Sequence, residues 1–257
     1  MNMPSAACLA LAVWLLLGEP LYGRRSHRHL LAALDAGQGD ARLRFYRRWT
    51  VLAWVLAAVT ALVARAKGWS AVRLGLQWPH SALLDNGMLG GFLSALLGGL
   101  VLGVLLARRK PARPAKPRMA GGDNVLRLLP HGRRERWGFA ALALTAGLTE
   151  EWIWRGFGAA ALHAVWPALG LAPTVIVLAL AFGWAHLYQG LAGVLVTAVL
   201  GGLLAWLYLS TASLLLPMLL HVLIDLRALL VPVGAGTVAG AFHATDVQTS
   251  IQDRGNP

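Results

Sequence analysis

The stretch Trp137–Phe157, WGFAALALTAGLTEEWIWRGF, decides what kind of protein this is. Its opening, Trp137 to Leu148, carries no charge. Two adjacent glutamates, Glu150 and Glu151, then interrupt the apolar run, and Arg155 follows. A charge at the centre of a bilayer costs roughly 2.5–3.5 kcal/mol on insertion scales, so ionisable residues inside an apolar segment are functional candidates from the outset.

The rest of the chain has the same character. Its 257 residues are 57% hydrophobic and only 13% charged, against about 25% charged in an ordinary soluble domain. Apolar runs long enough to span lipid recur along it. The expected fold is all-α, a polytopic transmembrane helix bundle of about seven membrane helices. They are expected over Pro4–Tyr22, Trp49–Ala66, Met88–Ala107, Trp137–Arg155, Leu171–Leu187, Leu191–Leu209 and Ser213–Val231.

Three regions follow from this reading. Residues 1–136 hold N-terminal membrane helices and two basic loops, residues 137–231 a second helix bundle, and residues 232–257 a polar tail. The net charge of +12 gathers mainly in Arg24–Arg48 and Arg108–Arg136, between apolar runs. That is the distribution of cytoplasmic loops under the positive-inside rule, with access to anionic headgroups, and it argues against a nucleic-acid partner. The Arg24–Arg48 loop is expected to include an interfacial helix. The first apolar run has basic residues after it and none before it, the reverse of a secretory signal. It is read as a retained helix, with the N-terminus outside and the C-terminus cytoplasmic. The single cysteine, Cys8, permits no internal disulfide and no cysteine-based zinc site.

Ionisable residues enter the apolar segments of the C-terminal half in three places: Glu150, Glu151 and Arg155; His186; and His221 with Asp225. Glu151 and Arg155 are four residues apart, in the favourable order for an ion pair on one helical face. They read chiefly as a structural pair. Glu150 points about 100° away, leaving an unpaired carboxylate in an apolar setting, as a general base requires. His221 and Asp225 also share a face. Either they satisfy each other, or the carboxylate aims the histidine at a water, a substrate oxygen or a metal. Counted at about 1.5 Å per residue, the three groups overlap in depth. Glu150 falls toward the outer face and His186 toward the inner, a gap that helix tilt or membrane re-entry would close. Glu19, beside Pro20 at an expected helix end, His163, in an expected connection, and Arg227, able to snorkel to the interface, are assigned no chemistry.

These residues resemble three motifs of the CPBP intramembrane proteases, the group that contains the type II CAAX prenyl endopeptidases and the bacterial Abi proteins. Glu150-Glu151-Trp152-Ile153-Trp154-Arg155 is similar to EExxxR, Phe182-Gly183-Trp184-Ala185-His186 to FxxxH, and His221-Val222-Leu223-Ile224-Asp225 to HxxxN/D in its Asp form. The resemblance covers Trp137 to Val231.

It implies an intramembrane endopeptidase, in the bacterial inner membrane, acting on a membrane-protein or lipidated-peptide substrate. Glu150 activates water, His186, His221 and Asp225 complete the catalytic set, and Glu151, Arg155 and Phe182 support it. The family has been described both as metal-dependent and as metal-independent. The expectation is no cofactor, with zinc held by Glu150, His186 and His221 as the other possibility. Two further classes are carried beside this one: a non-catalytic scaffold or immunity protein, and a proton-coupled transporter, which would favour internal repeats not evident here.

Overall fold

The computed structural model describes residues 3–80 and 121–230, with scattered positions between 87 and 105. Most of the expected third membrane segment, residues 108–120 of the second basic loop and the C-terminal tail lie outside the described residues. Among the described residues the secondary structure is helical, with no strand. The chain is an integral membrane helix bundle. Ser5–Asp35, Ala41–Ala66 and Leu187–Thr211 are long and apolar enough to cross a bilayer, and Leu171–Ala185 is apolar but shorter.

The first helical rod consists of α1 (Met3–Val13), a π-helical stretch Trp14–Gly18, and α2 (Glu19–Asp35). It is longer than the expected Pro4–Tyr22. The basic residues after Tyr22 stand on α2 rather than in a loop, and the connection to α3 (Ala41–Ala66) is only residues 36–40. The reason lies in the spacing of α2. Its buried residues Gly23, Ser26, His27 and Leu30 recur at helical intervals, so the helix keeps a packed face beyond the apolar run. At about 1.5 Å per residue α3 is roughly 39 Å long, enough to cross the bilayer and extend past it.

After residue 120 a short helix, α4 (Asp123–Leu126), crosses the base of the first hairpin. His27 bonds the Asn124 carbonyl, Arg42 donates to the Arg127 carbonyl at 2.9 Å, and Tyr46 donates to the Leu128 carbonyl. Then come α5 (Arg133–Glu150), a second π-helical stretch Glu151–Gly158, and α6 (Ala159–Val165), which run on from one another. The expected segment ended at Arg155. The observed rod runs on to Val165, which puts Glu150 in its middle rather than near its outer end. It also places His163 on α6, where its Nε2 bonds Thr174 Oγ1 at 3.1 Å, and not in a connection.

The chain returns through α7 (Leu171–Ala185), a 3₁₀ turn Leu187–Gln189, and α8 (Gly190–Thr211). The helix α9 (Leu215–Leu226) packs on α5, and a 3₁₀ turn Arg227–Leu230 ends the described chain. A buried cluster of Leu15, Ala57, Ile153, Trp154, Phe182 and Ala185 joins the first rod, α3, the second π stretch and α7. Large apolar side chains face outward, among them Leu62, Ile176, Leu180, Leu191 and Val199, as a lipid-facing surface requires.

Helices α7 and α8 approach closely at Gly183. A Cβ there would lie 2.6 Å from Ala198 Cβ and 2.8 Å from the Val194 carbonyl oxygen. Both obstacles are short or belong to the backbone, so neither can swing aside. Gly183→Ala is expected to cost about 1–3 kcal/mol, read as a lowered Tm in detergent. An unchanged Tm would show that the two helices can separate freely.

Candidate active site

Glu150 closes α5 and Glu151 opens the π-helical stretch. A π turn is an i→i+5 insertion, recurrent at functional sites, and here the switch from α to π falls between the two carboxylates. The expected ion pair forms: Arg155 Nη1 donates to Glu151 Oε1 at 2.9 Å, and both side chains are fully buried. Arg155 Nη2 also donates to the Gly201 carbonyl at 2.9 Å, and its guanidinium lies 4.1 Å over the Phe182 ring. A Cβ at Gly201 would come within 2.7 Å of Phe182 and 3.2 Å of Arg155 Nη2, so only glycine leaves room for both.

The pair is more than structural ballast, because Glu151 Oε1 also accepts from His221 Nδ1 at 2.7 Å. One carboxylate oxygen thus ties α9 to the second π stretch and turns the His221 ring. The other face of that ring is directed at the remaining acids. His221 Nε2 lies 3.7 Å from Asp225 Oδ2 and 4.0 Å from Glu150 Oε2.

His186, at the C-terminal end of α7, reaches the same place. Its Nδ1 donates to the Phe182 carbonyl at 2.9 Å. A carbonyl only accepts, so the proton is on Nδ1, and in the neutral ring Nε2 keeps a lone pair. That Nε2 is 3.9 Å from Glu150 Oε2. Phe182 packs against His186 with the rings tilted and their centroids 4.7 Å apart, and meets His221 edge-on at 5.9 Å, so one phenylalanine of the second motif spaces both imidazoles.

Glu150, His186, His221 and Asp225 therefore come together with Glu151, Arg155 and Phe182, all seven positions singled out in the sequence. Helical continuity through Val165 closes the apparent depth gap; no re-entrant loop is needed. Glu150 Oε2 is buried without a hydrogen-bond partner. Its separations from the two Nε2 atoms are too long for direct hydrogen bonds and suit a bridging water.

For zinc, the donor types are suitable: imidazole Nε2 atoms and a carboxylate, with each histidine anchored through its other nitrogen. Among the described residues, however, no three His, Cys, Asp or Glu side chains are grouped so as to hold a metal ion.

A cavity of about 630 Å³ is lined by the Glu150, His186, His221 and Asp225 side chains, within the range of small-molecule sites, about 300–1,000 Å³. Glu19 and Tyr188 line it too, and neither was selected from the sequence. Pro20 after Glu19 is the pattern of a helix end. The helix instead continues, the Glu19 N–H bonding the Trp14 carbonyl in the π pattern. Tyr188 lies two residues after His186, outside the FxxxH spacing, and carries no signal of its own.

No curated protein and no solved structure matches the chain. Residues 133–227, which hold all three motifs, match the family model of the Rce1-like type II CAAX prenyl endopeptidases, within the CPBP group that those motifs resemble.

Proposed function

We propose that the protein is an intramembrane endopeptidase in which Glu150 activates the attacking water. The observation that carries this reading is the unpartnered Glu150 Oε2, 3.9 Å and 4.0 Å from two imidazole Nε2 atoms. A water placed about 2.8 Å from Oε2 and from either Nε2 subtends roughly 90° between them, an ordinary hydrogen-bonding angle for water.

Glu150 takes a proton from that water as its oxygen bonds to the scissile carbonyl carbon. His186 Nε2, bearing a lone pair, accepts the water's second hydrogen and aligns it. His221, held through Nδ1 on Glu151 and protonated on Nε2, donates to the oxyanion, with Asp225 beside it stabilising that proton. When the tetrahedral intermediate collapses, the C–N bond breaks, and Glu150 returns its proton to the departing amine. The hydrogen bonds act in a low-dielectric site, where each is stronger than in water.

The substrate class is a membrane-embedded or lipid-associated protein, because the site lies between helices whose outer faces are apolar. The basic residues of α2 and α5, and those of α3 other than Arg65, gather at one end, where Arg127 pairs with Asp35 and Arg42 with Glu135. That end is assigned to the cytoplasm by the positive-inside rule, in a bacterial inner membrane, with the N-terminus outside.

The test uses purified protein in liposomes with a panel of single-span peptides, read by mass spectrometry. The expected result is two fragments summing to substrate plus one water, with a rate unaffected by a zinc chelator. Activity lost to the chelator and restored by zinc would move Glu150, His186 and His221 into ligand roles. Peptides left intact by folded protein would overturn the protease reading.

A further inference from the structure

We propose that Glu19 is a substrate-recognition residue of this cavity, receiving a Lys or Arg side chain of the peptide to be cleaved. The proposal rests on the protease reading for the identity of its ligand. It concerns a residue outside the 133–227 segment that matches the family model.

Three observations converge on Glu19. It lines the same cavity as Glu150, His186, His221 and Asp225. Its Oε2 is buried and has no hydrogen-bond partner, and among the described residues no basic side chain is paired with it. Arg155 is taken by Glu151, and Arg227, which lines the cavity, is exposed.

The third observation is how the backbone is held at this point. Pro20 has no N–H to offer the Leu16 carbonyl four residues earlier. Trp184, from the FGWAH motif on α7, supplies the missing donor: its Nε1 bonds the Leu16 oxygen at 2.8 Å. The turn that carries Glu19 is thus clamped to the helix that carries His186. A carboxylate that merely ended a helix would sit in water. This one is fixed at the wall of a cavity, with no counter-charge paired to it among the described residues. An intramembrane acid without a partner is costly, and a cationic side chain entering the cavity would provide the partner through a charge-assisted hydrogen bond.

The test measures binding apart from cleavage. Single-span peptides are made with Lys, Arg, norleucine or Glu at successive positions, and Kd is measured with Glu150→Gln protein, which keeps the cavity and does not turn over. Lys or Arg at one position is expected to bind about tenfold tighter than norleucine. Adding Glu19→Gln should bring that ratio to about one, and adding Glu19→Lys should shift preference to the Glu peptide.

No preference for a basic residue at any position, or a preference that survives both Glu19 substitutions, overturns the proposal. Thermal unfolding of each variant confirms that a folded cavity is being measured. A Glu19-dependent preference in a protein whose wild type cleaves no peptide would sink the protease reading while leaving the binding site standing. Cleavage by wild type with a ratio indifferent to Glu19 would do the reverse.

Discussion

Glu150→Gln is expected to lower peptide cleavage by roughly 10²–10⁴-fold, the usual contribution of a general base, with no loss of stability. Both halves matter. Glu150 Oε2 makes no hydrogen bond, and the His221 imidazolium 4.0 Å away is already paired with Glu151, so the fold gains little from its charge. Removing a buried, unpartnered carboxylate should leave Tm unchanged or raise it slightly. Glutamine keeps the shape but cannot take a proton from water. Wild-type turnover in this variant would remove Glu150 from the reaction. A large fall in Tm would mean that its charge is used structurally, contrary to the geometry.

Glu151→Gln should behave differently, lowering activity and stability together. The fully buried Arg155 would lose its anionic partner, and breaking one side of a buried pair costs about 3–5 kcal/mol. His221 would at the same time lose the charge that fixes its Nδ1–H.

A double replacement separates these effects. Glu151→Leu with Arg155→Met removes both charges, and apolar substitution of a whole buried pair is often neutral or stabilising. It should recover much of the stability lost by Glu151→Gln while leaving activity low, because His221 remains unanchored. If activity returned along with stability, Glu151 would be structural only, as its spacing from Arg155 alone suggested.

That spacing shows how far the sequence could be read. The i, i+4 relation of Glu151 and Arg155 is local, and the pair forms as expected. The bond from Glu151 to His221 joins positions 70 residues apart, and no local periodicity encodes it. The three motifs on apolar helices were sufficient to select the side chains that meet, since intramembrane polar groups have few places to go. The depth mismatch between Glu150 and His186 follows from ending a segment at Arg155, which sets Glu150 near its outer end. The π-helical stretch carries Arg155 inward, and the helix continues to Val165.

Glu19 was missed for a related reason. Proline after glutamate reads as a helix terminus, whereas a tryptophan 168 residues away meets the carbonyl that the proline leaves free. The basic run after Tyr22 has the charge of a loop, but Gly23, Ser26, His27 and Leu30 stand at helical intervals, and the helix follows the spacing.

The most direct test of the site's chemistry is a single-turnover cleavage in H₂¹⁸O, with protein in excess over a single-span peptide and both product and protein examined by mass spectrometry. If Glu150 activates water, the new C-terminal carboxylate of the product carries one ¹⁸O, and the fragment of the protein containing Glu150 carries none. Label incorporated into the Glu150 side chain would mean that the carboxylate itself attacked the peptide bond, and would contradict the account of Glu150 as a base.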